Sequence, residues 1–207
     1  MSYIIENSFS QGDPEWHDVR IDSVGGTGLA KIITNVNAER SKSRPKYLIK
    51  KAGDIISRDP EPSYSSWEMK WGHKYEPEAR DMLSFVIGQE TKTCAMIFAD
   101  EKRNWHISPD CYNDELAIKW GGEIKCYQLE GFLECREKKQ MPPKHNLQVQ
   151  AGLALTGWDH WKFMVYFPNL APLIFKIERD EPLIRIIKAE VNLFNRELET
   201  LVEKLKQ

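Results

Sequence analysis

Two short acidic segments constrain this chain most strongly. Ser108-Pro109-Asp110 is followed, thirteen residues after its aspartate, by Glu123-Ile124-Lys125 on what we expect to be the next strand. Carboxylates on neighbouring strands can share a hard divalent cation such as Mg²⁺ or Mn²⁺, which binds oxygen ligands. Because side chains alternate across a strand, Ile124 points away and offers its carbonyl as a third ligand, while Lys125 shares the face of Glu123. Such a site suits metal-assisted hydrolysis of a phosphodiester.

Other polar residues extend this candidate site. Lys125 would act as the base or orient the attacking water, and a nearby dication would lower its pKa. Glu76 lies on a predicted helix, Asp100 follows an apolar run, and Gln148 lies on a later helix. The alternative for the acidic pair is a chance match on a solvated surface. The alternative for Glu76 is an exposed helix carboxylate beside basic neighbours.

Five motifs occur in one order along the chain. This order resembles the phage lambda exonuclease family, also called the alkaline exonuclease or YqaJ-type viral recombinase family, within the PD-(D/E)xK nucleases. The resemblance runs over about residues 16–150. The motifs are Trp16-His17-x-x-Arg20, Trp71-Gly72-x-x-Tyr75-Glu76, Ser108-Pro109-Asp110, Glu123-Ile124-Lys125-Cys126 and Gln148-Val149-Gln150.

The resemblance implies an α/β restriction-endonuclease-like fold, in which α-helices flank a mixed central β-sheet. It implies a Mg²⁺-dependent exonuclease that digests the 5′-terminated strand of double-stranded DNA and leaves a 3′ overhang for a phage single-strand annealing protein. A ring-shaped homotrimer is also implied. At the site, it implies metal ligation by Asp110, Glu123 and the Ile124 carbonyl. Asp100 and Glu76 would support a second metal or its waters, and Gln148 would orient the nucleophilic water or a ligand.

Several residues are candidates for contacts with DNA phosphates. Arg20 matches the family's phosphate-binding arginine, Thr27 aligns with a phosphate-contacting serine, and Ser108 belongs to the same group. Residues 40–51 hold six cations and no acidic residue. Such a run is usually a solvated face, but the nuclease motifs that follow make a DNA-backbone contact an equal alternative. From this run we select Lys42, Arg44 and Lys46.

The composition sets broader limits. A length of 207 residues suits one domain over residues 1–207, and 41% hydrophobic residues allow a real core. The net charge of −2 counts mildly against a nucleic-acid binder, although an enzyme can confine its cations to a groove. No membrane span or signal peptide is evident and no Cys-x-x-Cys pair occurs, so we expect a reducing bacterial cytoplasm, in a phage or prophage context.

The secondary structure is expected to place strands at residues 92–98, 105–108, 117–119 and 123–126, with Gly121-Gly122 as a turn. The last helix carries one apolar stripe, which favours packing on the sheet over a coiled-coil partner. Two functional alternatives stay open. An endonuclease of the same fold, of resolvase or restriction type, would use the same chemistry, whereas a non-catalytic DNA-binding module would be expected to lose part of the site.

Overall fold

The computed structural model describes residues 3–35, 37–60, 66–115 and 117–207. These residues form both helices and strands, as expected for an α/β protein, with four consecutive strands in the middle of the chain. The strands are β1 (Ile4–Glu6), β2 (Val24–Gly25), β3 (Met96–Phe98), β4 (Trp105–Ile107), β5 (Cys111–Asn113), β6 (Trp120–Cys126), β7 (His160–Tyr166) and β8 (Leu173–Glu178). The α-helices are α1 (Pro14–Ile21), α2 (Arg44–Ser57), α3 (Trp67–Ile87), α4 (Leu129–Lys138), α5 (Asn146–Thr156) and α6 (Glu181–Leu205), with 3₁₀ turns at Gly26–Lys31 and Pro143–His145.

The strands form two four-stranded mixed sheets. The first has the order β1-β3-β4-β2, with β2 and β4 parallel, and the second has the order β5-β6-β7-β8, with β6 and β7 parallel. The mixed α/β architecture flanked by helices is confirmed, although the strands are divided between two sheets rather than collected in one. The chain crosses from the first sheet to the second through residues 108–110, the Ser-Pro-Asp segment.

Strand β6 corrects two expectations. Gly121 and Gly122 are not a turn but lie inside this strand, and residues 117–119 precede it without forming a strand. The physical reason is close packing. A Cβ on Gly121 would lie 2.3 Å from the Trp161 indole, and one on Gly122 would lie 2.4 Å from Cys111 Sγ. Glycine is therefore needed here for space, in an otherwise ordinary strand.

The helix that carries Glu76 has defined ends. Ser66 precedes α3 and its hydroxyl accepts a hydrogen bond from the Met69 N–H at 3.3 Å, which satisfies one backbone donor of the first turn. Gly88 ends the helix with a φ of 64°, the left-handed conformation that glycine adopts without strain. The sequence predicted a helix from Ser66 to about Phe85, and the observed helix ends two residues later, at Ile87.

The C-terminal helix packs on other helices. Its buried stripe faces α2 and α5, so neither a direct sheet contact nor a coiled-coil partner is needed to cover it. Phe194 stacks on Tyr47 of α2 with ring centroids 5.4 Å apart. At the far end of the stripe Leu205 is exposed. None of the described helices combines the length and apolarity needed to cross a bilayer.

A tryptophan sets the distance between β6 and α5, the two elements that carry Glu123 and Gln148. The buried indole of Trp161 lies between Gly121 and Gly152, and a Cβ on Gly152 would lie 2.5 Å from it. The Gly152→Ala change should therefore lower the free energy of unfolding by about 1–3 kcal/mol, the usual cost of overpacking. Urea denaturation would measure this change.

Gly53 provides the matched control, since it lies in α2 and an added Cβ meets nothing within 4 Å. Gly53→Ala should leave stability unchanged or raise it by up to about 1 kcal/mol, because alanine favours helix more than glycine. Equal stability of Gly152→Ala and wild type would contradict the packing argument.

Candidate active site

Asp110 immediately precedes β5 and continues the pairing with β6 beyond the last residue pair of the two strands. Strand β5 pairs with β6 only as far as Cys111 opposite Gly122. Just beyond this point the Asp110 N–H donates to the Gly122 carbonyl at 3.1 Å, and Asp110 Oδ2 accepts the Ile124 N–H at 2.5 Å. A side chain thus takes the place of the missing strand and is held beside Glu123.

The same arrangement leaves the Ile124 carbonyl at the edge that faces Asp110. In a strand, the N–H and C=O of one residue point to the same side. The Ile124 N–H points to Asp110, so its carbonyl is directed to that edge as well. Its side chain packs on the opposite face, in a cluster with Ala79 and Leu83 of α3. This geometry supports the prediction that the Ile124 carbonyl is a ligand.

Three of the predicted residues meet at one carboxylate. Glu123 is only 3% exposed. Its Oε1 accepts a hydrogen bond from Gln148 Nε2 at 2.6 Å and forms an ion pair with the Lys125 ammonium. Glu123 and Lys125 share a face of β6, and α5 brings Gln148 to that face. Gln150 points elsewhere and ties α5 to Glu178 and Asp180 through its amide.

The carboxyl groups of Asp110 and Glu123 shift the pKa values of the ionisable groups around them. Burial and the charge of Glu123 raise the pKa of Asp110 well above its usual value. The pKa of Lys125 is also raised by these carboxylates, whereas the predicted lowering concerns Lys125 beside a bound dication and stays a prediction. Burial disfavours the ammonium, but the charges of Glu123 and Asp110 outweigh that effect. A dication bound between these carboxylates would cancel the charge that holds the proton on Lys125.

The donor set fits a hard divalent cation. Two carboxylates repel each other in a low-dielectric site, so a cation between them relieves a real cost. The described residues contain no group of three or more His, Cys, Asp or Glu side chains suited to a metal. Mg²⁺ does not need such a group, because it keeps several waters and is commonly bound by one or two carboxylates. Asp110, Glu123 and the Ile124 carbonyl would hold it.

Arg80 links Glu76 to this site and was missed by the sequence reasoning. Its Nε donates to the Asp110 carbonyl at 2.8 Å and its Nη2 donates to Glu76 Oε1 at 2.7 Å. Glu76 is therefore brought near the cluster, as predicted, and is paired with a basic helix neighbour, as the alternative proposed. The spacing of four residues between Glu76 and Arg80 on one helix was the available signal.

Asp100 is not brought to this cluster. It is exposed in the turn of the β3–β4 hairpin, where its Oδ1 accepts the Lys102 N–H at 2.9 Å. The hairpin register places Ile97 opposite Ile107. The turn therefore lies at one end of β4 and the segment that leads to Asp110 at the other. Sequence spacing could not show this, because it depends on the direction of β4.

Two adjoining cavities connect the acidic cluster to the N-terminal motif. A cleft of about 1310 Å³ is lined by Arg20, Glu76 and Asp110, among others. A smaller cavity of about 300 Å³ is lined by Arg20, Thr27 and other residues, and no carboxylate lines it within the described chain. Arg20 borders both cavities. Its guanidinium lies 3.9 Å over the Trp16 ring, and burial lowers its pKa.

The remaining phosphate candidates have different environments. The Ser108 hydroxyl is buried and has no hydrogen-bond partner among the described residues. Lys42 and Lys46 are exposed. Arg44 is only 8% exposed and forms an ion pair with Glu197 of α6, so its charge is engaged inside the protein. The prediction of a DNA contact in this run therefore narrows to the two lysines.

Comparisons with known proteins identify the family of this chain. Residues 15–159 match the YqaJ-like viral recombinase domain, and the chain belongs to that family. The sequence matches none of the curated proteins with which it was compared. The structure resembles an alkaline exonuclease (LHK-Exo) from Laribacter hongkongensis, with 26% identity, a TM-score of 0.81 and coverage of 94% of this chain and 96% of that one.

Two further structures are similar. The same Laribacter hongkongensis enzyme in complex with dAMP gives 25% identity and a TM-score of 0.79, with coverage of 94% of this chain and 96% of the other. A phage related exonuclease from Haemophilus somnus 129PT shares the fold, at 13% identity and a TM-score of 0.65, over 88% of this chain and 96% of that chain. The family predicted from five short motifs is confirmed.

The raised pKa of Asp110 predicts a stability that depends on pH. As pH rises above the ordinary carboxyl value of 3.8, the folded protein holds this proton longer than the unfolded chain, so stability falls. In chelator at pH 8, Asp110→Asn should therefore be more stable than wild type by about 1 kcal/mol, or about 2–4 °C in Tm. The difference should shrink toward pH 4, where Asp110 is protonated.

Asp100→Asn is the matched control, since Asp100 is exposed in a turn. It should melt like wild type at both pH values. Thermal unfolding of the three proteins in chelator measures the effect, and an Asp110→Asn protein less stable than wild type at pH 8 would contradict the charge repulsion.

Proposed function

We propose that this protein is a Mg²⁺-dependent exonuclease that digests the 5′-terminated strand of linear double-stranded DNA and leaves a 3′ overhang. The observation that carries the proposal is the position of Arg20, which borders both the small cavity without carboxylates and the cleft that holds Asp110. A terminal phosphate bound in the small cavity would place the adjoining nucleotide in the cleft beside Asp110. The dAMP complex of a similar exonuclease supports a deoxynucleoside monophosphate as product.

The small cavity suits a phosphate. Arg20 offers a planar fork of N–H donors that matches phosphate oxygens. Its guanidinium has no ion-pair partner in the described chain and is stacked on Trp16, so it is already oriented. Thr27 adds a hydroxyl to the same cavity. The predicted phosphate contact of Ser108 is not part of this cavity, because its buried hydroxyl lines neither the small cavity nor the cleft.

The acidic cluster supplies the chemistry. When bound, the metal would act as a Lewis acid and lower the pKa of a bound water. Gln148 and Lys125 both contact Glu123 Oε1 and fix the orientation of this ligand. Arg80 fixes the Asp110 backbone and holds Glu76 at the border of the cleft. Lys125 is positioned to orient the attacking water and to take its proton once the carboxylate charge is neutralised.

Assembly and partners follow the same proposal. We infer a homotrimeric ring around DNA, acting with a phage single-strand annealing protein in the cytoplasm of a bacterial host. The net charge of −2 suits a protein that surrounds DNA with several copies rather than holding it alone. Exposed apolar side chains on α2 and α3, including Ile49 at 66% and Phe85 at 82%, are available for subunit contacts.

The reaction type is tested with linear and covalently closed circular duplexes of one sequence, each with Mg²⁺ and with chelator. Wild type should digest only the linear duplex and only with Mg²⁺. Glu123→Gln should be inactive, and Lys125→Ala should lose about 10²–10⁴-fold in rate, as expected for a general base. Cleavage of the closed circle would identify an endonuclease, and no cleavage of either would identify a binding module.

The end preference is tested with 5′-phosphorylated and 5′-hydroxyl duplexes. Wild type should digest the phosphorylated end faster, and Arg20→Ala should lose most of this preference, a change of roughly tenfold to a hundredfold for a charge-assisted hydrogen bond. Arg58→Ala is the control, because Arg58 is exposed and paired with Asp22. The ratio of the two initial rates is the readout. Full preference in Arg20→Ala would move the phosphate site elsewhere.

The exposed lysines of α2 and its preceding loop predict a salt effect. Replacing Lys42 and Lys46 with glutamine should reduce the slope of log affinity against log salt by about two, since each phosphate contact releases about 0.9 counterion. The same change at Lys204 and Lys206, at the end of α6, should leave the slope unchanged. Fluorescence anisotropy with labelled duplex in chelator measures both, and equal slopes for all three proteins would make residues 40–51 an ordinary solvated face.

A further inference from the structure

We propose that His106 is an additional ligand of the small cavity, donating a hydrogen bond from Nε2 to the terminal phosphate, and that the Ser23 hydroxyl fixes its ring. The inference rests on the proposed function of this cavity as a phosphate site. It assigns a role to two buried polar residues that lie outside the five sequence motifs. Both line the cavity together with Arg20 and Thr27.

The geometry leaves one nitrogen of His106 for a ligand. His106 lies on β4 and is 3% exposed, and its Nδ1 is 2.7 Å from Ser23 Oγ. The other nitrogen is directed toward Gly25, which pairs with His106 across the β2–β4 ladder. A Cβ at Gly25 would lie 2.9 Å from Nε2. The absence of a side chain at this position thus keeps Nε2 open to the cavity.

The His106 imidazole is neutral and therefore has one N–H donor. Burial, together with the charges of Arg20 and Lys51, lowers the pKa of His106 to about 3, so the imidazole is neutral in the physiological range. A neutral imidazole has one donor nitrogen and one acceptor nitrogen. When the Ser23 hydroxyl donates to Nδ1, the proton lies on Nε2 and faces the anion. The opposite tautomer would direct a lone pair at the phosphate and is disfavoured.

Lys51 positions this wall without being a ligand itself. Its ammonium donates to the carbonyls of Arg20, Ile21 and Ser23 at 2.8, 2.5 and 3.0 Å. An ammonium has three N–H donors, and all three are used here. Lys51 therefore adds positive charge to the cavity and fixes the backbone of both Arg20 and Ser23. The remaining donors that line the cavity are Arg20, Thr27 and His106, together with the Lys31 ammonium and the Tyr47 hydroxyl.

The test compares digestion of 5′-phosphorylated and 5′-hydroxyl duplexes by wild type and His106→Leu. The ratio of kcat/KM for the two ends should fall roughly tenfold or more in the variant, as expected for a lost hydrogen bond to a charged group. The loss in kcat/KM should be larger on the 5′-phosphorylated end than on the 5′-hydroxyl end, because only the phosphorylated end would accept this hydrogen bond. His160→Leu is the control, because His160 is buried on β7 and lines neither cavity. An unchanged ratio in His106→Leu would overturn the proposal.

A second measurement uses the wild-type protein and so does not depend on the folding of a variant. The protein is labelled with ¹⁵N at its histidines and titrated with inorganic phosphate in chelator. Saturable shifts should appear at the His106 ring with the Nε2–H tautomer. The Ser23→Ala protein should bind phosphate more weakly, with a changed Nδ1 signal. An Nδ1–H tautomer in the bound state, or no shift at this ring, would overturn the proposal.

The two measurements separate this inference from the proposed function. Wild type could show no preference for either end while phosphate still shifts the ¹⁵N signals of the His106 ring. The proposal of end recognition would then fail, and His106 would remain a ligand for phosphate. If Arg20→Ala loses the preference but His106→Leu keeps it, the phosphate cavity stands and His106 is only a packing residue.

Discussion

The hydrogen bond from the Ile124 N–H to Asp110 Oδ2 joins the two sheets at the point where the site is formed. Asp110 ends the segment that leaves the first sheet, and Ile124 lies in the second. Because the acceptor is a side chain rather than a strand neighbour, the edge of β6 stays open beside Glu123. Pairing with a longer β5 would satisfy the backbone equally well but would cover the Ile124 carbonyl, which we propose as a metal ligand. The site therefore depends on β5 beginning only at Cys111, after Asp110.

The acidic side chains of the candidate site are held in place although their like charges repel each other. Two acidic side chains in a buried site repel each other, and their positions are fixed by neighbours that do not depend on a cation. Gln148 and Lys125 hold Glu123, while Arg80 and the backbone of β6 hold Asp110. The geometry is thus preorganised at some cost in stability, which is common at functional sites.

Local sequence was sufficient for residues whose positions follow from strand alternation. Glu123 and Lys125 are two apart on one strand, so their shared face follows from the pattern alone. The position of Asp100 depends on the direction of the β3–β4 hairpin. The burial of Arg44 depends on the packing of α6, which is distant in sequence. No local sequence pattern contains either piece of information. Gly121 and Gly122 were interpreted as a turn because glycine favours turns, but here the deciding factor is the space taken by neighbouring side chains.

The proposed phosphate cavity shows a similar limit. Arg20 was predicted because it belongs to one of the five motifs and Thr27 because it aligns with a family serine, whereas His106 was not predicted. An available signal was its position two residues before Ser108, on the same face of the chain as it leaves β4. Ser23 and Lys51 carried no local signal, since their roles arise from hydrogen bonds between α1, α2 and β4.

The contact of Trp161 with two glycines has a consequence for how this protein can change during evolution. Gly121, Gly152 and Trp161 share one volume, so a larger residue at either glycine position requires a smaller one at 161. The intermediate with only one change carries a clash or a cavity. These three positions should therefore vary together among relatives of this chain. Compensating changes at the three positions would keep the spacing between α5 and β6, and with it the contact of Gln148 with Glu123.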